Sequence, residues 1–477
     1  MSQSWTPRAL VVGSGLAGLT CAHGLAADGW HVEVVSPGRA GRDGATHRVH
    51  ALAPWILLTA PWVRGDSPAR FLAELVRRSD GMAHDGLAEV LAEEANPAAR
   101  QLAEELGLEA VSSEPDLLPG DEIPRGMRFF PRHRNALLSP LLLACTEAGV
   151  RVRERTLVLA LLTGDGRAVG VVAIDRARER TEQLAADAVV LACGGAGAVF
   201  PVTTAPRWCR GSGLAVAARA GVLLHHPENT QALPVTATPP LYFPTSAAIT
   251  RGRITVGGRR LDAAGSLEDA TLEIARAQLA GLEAFLEPSD GAREALPQRV
   301  RESAAFRSFG RVPLTVAAHH GVGGVAVDAW GRTSMPGLYA CGEAAGGVQG
   351  RRRTMGTGLL EAAIFARRAA QAMRRDVDRS GPAPTATQVH LLELPTAPGE
   401  LETALDALMG PLVVLRQSGM VDAAWNELQA WPTSTGDGFD SKAALAALRR
   451  EAALAMLAPC AKRSGLARAQ ASIELGR

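Results

Sequence analysis

Apolar positions along this chain follow two periods, and the switches between them mark its elements. Ala9 to Val12 reads ALVV, a short apolar run that predicts a buried strand. Six residues later a helical spacing of apolar positions carries through Leu25 and Ala26. His31 to Val35 (HVEVV) alternates at period two and predicts a second strand, with Glu33 on its open face. From Gly38 to His50 the pattern lapses into a loop of Gly, Arg and His. Helical spacing returns between Pro68 and Glu109, in surface helices whose charges form solvated faces. A turn-rich stretch, SSEPDLLPGDEIPRG, leads to a helix over Leu137 to Ala148, a strand pair at Arg151–Leu162 and Ala168–Asp175, and a buried strand at Asp187 to Leu191 (DAVVL). Further along, Ala317 to Ala366 packs a histidine pair, a Gly-rich turn, the strand GLYAC and an arginine run before the apolar helix GLLEAAIFA. A linker, SGPAPTATQ, then precedes a helical tail.

Composition narrows what such a chain does. At 477 residues it exceeds one ordinary core, so several domains are expected. Lys and Arg number 50 against 49 Asp and Glu, a net charge of +1 that provides no field for drawing the chain to nucleic acid or an anionic membrane. The six cysteines (Cys21, Cys145, Cys193, Cys209, Cys341, Cys460) are scattered, with neither metal-ligand spacing nor the density of a disulfide scaffold. They read as thiols of a reducing compartment. The N-terminus shows no secretory signal and no apolar run reaches membrane-spanning length, so a soluble cytoplasmic protein is expected.

The turn after the first strand carries chemistry. Gly13-Ser14-Gly15-Leu16-Ala17-Gly18 lies between a strand and a helix, the context a dinucleotide fingerprint requires. Gly13 allows the tight turn, Gly15 lets the backbone approach a pyrophosphate, and Gly18 lets helix and strand pack closely. The second strand ends in Ser36-Pro37-Gly38 instead of the usual acidic ribose ligand, so Ser36 is the candidate there. A second strand-to-glycine turn follows DAVVL, at Ala192-Cys193-Gly194-Gly195.

VDAWGRTSMPGLYACGE followed by GLLEAAIFA resembles the flavoproteins of the succinate dehydrogenase, fumarate reductase and L-aspartate oxidase family. The resemblance implies an α/β fold: a Rossmann-type FAD-binding domain (residues 1–232 and 314–380), an inserted α+β capping domain (233–313) and a C-terminal helical bundle (381–477). It implies FAD as cofactor. Ala45-Thr46 matches the family's Ser-Thr beside the flavin, Ala192, Gly194 and Gly195 match its returning strand, and Gly342-Glu343 matches its ribityl contact. Gly358, Leu359 and Leu360 open a helix whose amides would face the reduced ring. For the substrate end, His226, His319 and Arg353 match the carboxylate clamps. His320 stands where the family has an aromatic residue, Glu228 follows His226-Pro227 in place of a threonine, and Gln349 and Arg352 replace a histidine and an asparagine. Arg251-Gly252 matches part of a cap motif, but GSLEDATLEIARA holds no arginine at the family's cap position, and Arg276 comes later.

The activity so implied is oxidation of an amino dicarboxylate, L-aspartate to iminoaspartate, a step of NAD biosynthesis, with O2 or fumarate as acceptor. A related flavin oxidoreductase acting on another organic acid or enone, and a non-catalytic flavin-binding subunit, remain alternatives. No metal, nucleic acid or membrane is implied, electrons would enter or leave by a diffusible acceptor or a separate subunit, and the oligomeric state stays open.

Overall fold

The computed structural model describes residues 5–52, 55–118, 121–132, 137–237, 253–261, 267–288, 293, 298–350, 352–414, 418–434 and 440–464. Its centre is a parallel sheet of five strands. Strand β1 (Arg8–Val12) lies between Ala188–Leu191 on one side and β2 (His31–Val35) on the other, with Leu338–Ala340 and Arg151–Arg153 at the edges. Both faces of this sheet are covered, which explains why its strands read as almost continuous Val, Leu and Ala. On one face, helix α1 (Leu16–Ala27) packs against the long helix Gly358–Ser380, hereafter the site helix. On the other lie an antiparallel sheet built on Thr156–Gly164 and Arg167–Asp175 and the helices of the C-terminal tail.

The turn from β1 into α1 is forced by glycine. Gly13 has φ +118°, and a Cβ there would collide with the Ala192 carbonyl oxygen; one on Gly18 would collide with the Gly13 carbonyl oxygen. These two residues bring β1, α1 and the Ala188–Leu191 strand close enough to leave a cleft at the strand ends.

A second antiparallel sheet, ordered Thr230–Thr236, Val312–Gly321, Ala284–Glu287, Arg253–Val256 and Arg259–Leu261, carries the helix Leu267–Leu279 against its own small core. Its two longest strands reach back to the cleft. The fold is α/β, with a Rossmann-type sheet, an α+β sheet unit inserted into it and a helical tail over Pro398–Met409, Ser418–Gln429 and Ser441–Ser464.

The structure corrects several local readings. Ala45–Leu52 is a helix and not loop, because no breaker follows Gly44 and the Thr46 hydroxyl accepts the Leu16 amide at 3.3 Å. Glu33 is half-buried, not open, and pairs with Arg151 and Arg153 from the neighbouring strand. The run Arg151–Leu162 is two strands, broken where Arg155 takes φ +53°, and each piece joins a different sheet. In the helix Pro68–Arg78, Glu74 and Arg78 are buried instead of solvated. Glu74 pairs with Arg125, which also holds Asp66, and Arg78 lies 3.4 Å from Asp121.

Candidate active site

One continuous cavity of about 980 Å³ runs along the strand ends, from the end of β2 to the histidine pair. Its first stretch is walled by Ser36, Pro37 and the segment Thr156–Val158. The middle is backbone: Gly13, Gly15, Leu16 and Ala17 face Ala192 and Gly194, with Ala45, Thr46, Gly342 and Glu343 alongside. The far end is closed by His319, His320, Arg353, Met355, Gly358 and Leu359.

The middle stretch suits a pyrophosphate. Helix α1 starts after Gly15, an N-cap residue without a side chain, and has no acidic residue in its first turn; the Thr46 hydroxyl accepts the Leu16 amide, and the positive end of the dipole faces the cavity. The site helix, at the far end, also starts without a side-chain cap, with Glu361 in its first turn held by Gln349. Two helix N-termini at opposite ends of one cleft fit the phosphates and the ring of a flavin dinucleotide. Ser36 is buried and accepts the Ser14 hydroxyl at 2.8 Å, which leaves its own proton to be given away.

Strand geometry explains the far end. Val312–Gly321 pairs with Thr230–Thr236 in register except at one place: Gln231 faces His320 while Ala232 faces Ala318, so His319 is the extra residue of a β-bulge. Without the bulge, consecutive side chains would point to opposite faces; with it, both imidazoles reach the cavity wall. The Nδ1 of His319 is held by the Thr204 hydroxyl at 2.8 Å. Burial pushes the His319 pKa down to about 3 and the neighbouring Arg353 charge adds to this, so the ring is neutral. His320 moves the same way, first through burial, then through Arg353 and His319. Its Nδ1 lies 3.6 Å from the Glu343 carboxylate, which accepts the Gly321 amide at 2.8 Å and is pushed up, chiefly by burial.

Arg353 is a buried charged group of this wall that lacks a counter-ion among the described residues; Arg48, which also lines the cavity, is exposed. Arg353 is 6 % exposed, and among the described residues it forms no ion pair. Its Nε has no hydrogen-bond partner, and Nη1 reaches only the Gln231 amide oxygen at 3.4 Å. Burial lowers its pKa, against the attraction of Glu361 and Glu343. A buried guanidinium left open on a cavity is a receptor for a carboxylate. Its backbone is braced from behind: Gln231 donates to the Arg353 carbonyl at 3.3 Å, and Arg78 donates to the Arg352 carbonyl at 3.2 Å.

The other expected residues divide. Gly18, Gly195 and Leu360 stand behind the wall: Gly18 packs on Gly13, Gly195 makes room for the Glu343 carboxylate, and Leu360 is core. His226 is not on the wall. It sits at φ +40° with Nδ1 3.4 Å from Glu228, beside His225, whose Nε2 meets the Met82 carbonyl at 2.7 Å. Gln349 and Arg352 are also off the wall; Gln349 ties the Thr354 amide to the Thr357 hydroxyl, and Arg352 is half exposed, 3.9 Å from Asp80. Arg276 is exposed and paired with Glu273, and Arg251 and Gly252 lie outside the described residues. Sequence reasoning missed Thr204, Gln231, Asp121, Arg128 and Trp208, since each reaches the site from a segment without a motif.

A Rossmann-type sheet with two helix N-termini on one long cleft, and a buried arginine at its far end, defines a dinucleotide-binding oxidoreductase. Residues 8–359 match the model of the FAD binding domain family. The L-aspartate oxidase of Caulobacter vibrioides is 30% identical over 90% of this chain and 87% of its own length. That of Streptomyces coelicolor is 32% identical over 76% of this chain and 67% of its own length. A fumarate reductase (CoM/CoB) polypeptide of Methanothermobacter marburgensis is 28% identical over 76% and 71%. Among solved structures, Mycobacterium smegmatis Sdh1 in complex with UQ1 superposes with a TM-score of 0.78 at 21% identity, covering 97% of this chain and 87% of that one. FrdA of the E. coli quinol fumarate reductase gives 0.78 at 18% identity, covering 97% and 89%. The chain belongs to the FAD-binding flavoprotein family of the L-aspartate oxidases and the succinate dehydrogenase and fumarate reductase flavoproteins, and is an FAD-dependent oxidoreductase. Among the described residues no helix is long and apolar enough to cross a membrane.

Proposed function

We propose that this flavoprotein oxidises an amino dicarboxylate, with L-aspartate converted to iminoaspartate as in NAD biosynthesis, and that O2 or fumarate takes up the electrons. The observation that carries this reading is Arg353, a buried cation on the cavity wall with no counter-ion among the described residues. FAD supplies the two-electron acceptor for the substrate Cα–H. The residues of the chain supply placement: Arg353 takes the α-carboxylate through two parallel N–H bonds, and the neutral imidazoles of His319 and His320 accept or donate single hydrogen bonds without adding charge. Fixing one end of a small acid in this way limits the approach of its C–H bond to one direction, which lowers the entropic part of the barrier.

A second reading, oxidation or reduction of an acid with one carboxylate, is supported by the rest of the wall. Arg128 and Arg48 also line the cavity, but Asp116 holds the Arg128 Nε at 2.7 Å, Arg48 is exposed to solvent, and His226 lies off the wall. One experiment separates the two. Purified holoprotein is mixed anaerobically with L-aspartate, then with other amino acids and unsaturated acids, and the flavin absorption is followed. Bleaching by L-aspartate supports the first reading; bleaching or reoxidation only by a monocarboxylate supports the second. A spectrum that no acid alters refutes both.

A further inference from the structure

The stretch of the cavity at the end of β2 lacks the acidic residue that ordinarily takes a ribose in this position of a dinucleotide-binding sheet. It contains two other polar groups. Trp208 lines the wall there, and its Nε1, a donor with no acceptor capacity, is buried without a hydrogen-bond partner. A buried indole N–H ordinarily finds a partner, and leaving one unmade is costly. The ring is held in place from outside the cavity: the guanidinium groups of Arg176 and Arg207 each lie 4.6 Å from its centre, and Arg176 is itself anchored on the Pro37 carbonyl at 3.0 Å. The second group is Asp43, also on the wall, whose Oδ2 accepts the Arg39 amide at 2.8 Å.

Both groups converge on Gly38. A Cβ on that residue would lie 2.5 Å from the Asp43 Oδ2 and 2.6 Å from the Trp208 Nε1, so glycine is what admits them. The indole and the carboxylate make no hydrogen bond to each other. A fixed donor beside a fixed acceptor, meeting at Gly38 three residues beyond the end of β2, is complementary to a vicinal diol, in which one hydroxyl donates while the other accepts. We propose that Trp208 and Asp43 form the adenosine-ribose subsite of the FAD site, the indole N–H donating to one ribose hydroxyl and the Asp43 carboxylate accepting from the other. Ser36, on which sequence reasoning placed this role, is the neighbouring hydroxyl of the same wall, tied to Ser14.

The test compares the wild type with Trp208→Phe, which removes the N–H and keeps a ring, and with Asp43→Asn. FAD affinity is read from the flavin fluorescence released when holoprotein is diluted, and FMN, which lacks the adenosine half, is titrated into the deflavinated chain. Each variant is expected to lose about tenfold in FAD affinity, the worth of one buried hydrogen bond, with FMN affinity unchanged. As a second readout, ADP displaces FAD from the wild type at lower concentration than 2′-deoxy-ADP does, and Trp208→Phe narrows that gap. FAD affinity preserved within twofold in both variants overturns the proposal. So does equal weakening of FAD and FMN, which marks a merely structural role.

Discussion

Replacing Arg353 by methionine removes the charge while keeping most of the buried chain, and the structure predicts opposite effects on activity and stability. On the activity side, a buried guanidinium bound to a carboxylate is worth about 2 to 5 kcal/mol when one partner is deleted. At about 1.4 kcal/mol per tenfold, kcat/KM falls between about 30-fold and about 4,000-fold. Arg353→Lys, a point charge without the planar fork, falls between wild type and methionine. On the stability side, the guanidinium is buried and among the described residues meets no carboxylate within ion-pair distance; its pKa is lowered first by burial. A base whose folded pKa is lowered costs stability at every pH where it is charged, which for arginine covers the working range. The substrate-free methionine variant is therefore expected to melt at a higher temperature than wild type. Two assays check this: anaerobic stopped-flow bleaching of the flavin against substrate concentration, and thermal release of flavin fluorescence. A variant that keeps kcat/KM within threefold, or that melts lower with FAD bound at full occupancy, refutes the placement of Arg353 as an unpaired substrate clamp.

Other consequences follow from the same wall. A Cβ on Gly358 would lie 2.5 Å from Arg353 Nη2 and 3.6 Å from His320, so Gly358→Ala displaces the guanidinium and is expected to raise KM by about tenfold with FAD content unchanged, measured by steady-state kinetics and absorbance. The Asp121 carboxyl is raised from its ordinary 3.8 to about 7 by burial first and the Glu74 charge second. With the folded pKa above the unfolded one, its contribution is full below about pH 4 and is lost as pH rises through about 7. Urea melts at pH 5 and pH 8 should therefore differ in the wild type and differ less in Asp121→Asn. Because His319 is pushed down to about 3, it contributes no limb to the pH profile of kcat/KM between pH 5 and 8, and His319→Gln lowers the rate without changing the profile's shape there.

The cofactor half of the site was legible because it is made by backbone. Gly13 and Gly342 stand where side chains would collide, and such positions announce themselves by residue type and spacing alone. The same is true of the site helix, whose start at Gly358 follows from the return of helical periodicity. The substrate half depends on side-chain direction, which periodicity misreads wherever the strand is irregular. His319 and His320 share a face only because of the bulge opposite Gln231 and Ala232, and nothing in the local pattern marks it. His226 shows the converse: its motif neighbourhood matched, but the residue sits in a left-handed turn at φ +40° that aims it at Glu228.

Arg353 carries this division one step further. The residue is legible, yet its position depends on groups far away in the chain: Arg78 on the Arg352 carbonyl, Gln231 on its own carbonyl and side chain, and Gly350, where a side chain would collide with the Ser79 backbone. Met82 extends the same brace, since its carbonyl meets His225 and its sulfur receives the Asn229 amide. The segment from Arg78 to Met82 thus ties the arginine loop to the strand that enters the inserted sheet. A substitution in that segment moves the clamp without touching the cofactor cleft, so within this fold substrate preference can drift while FAD binding is kept. That separation agrees with the structure: glycine turns close to the family pattern, beside a cavity wall that His226, Gln349 and Arg352 do not line.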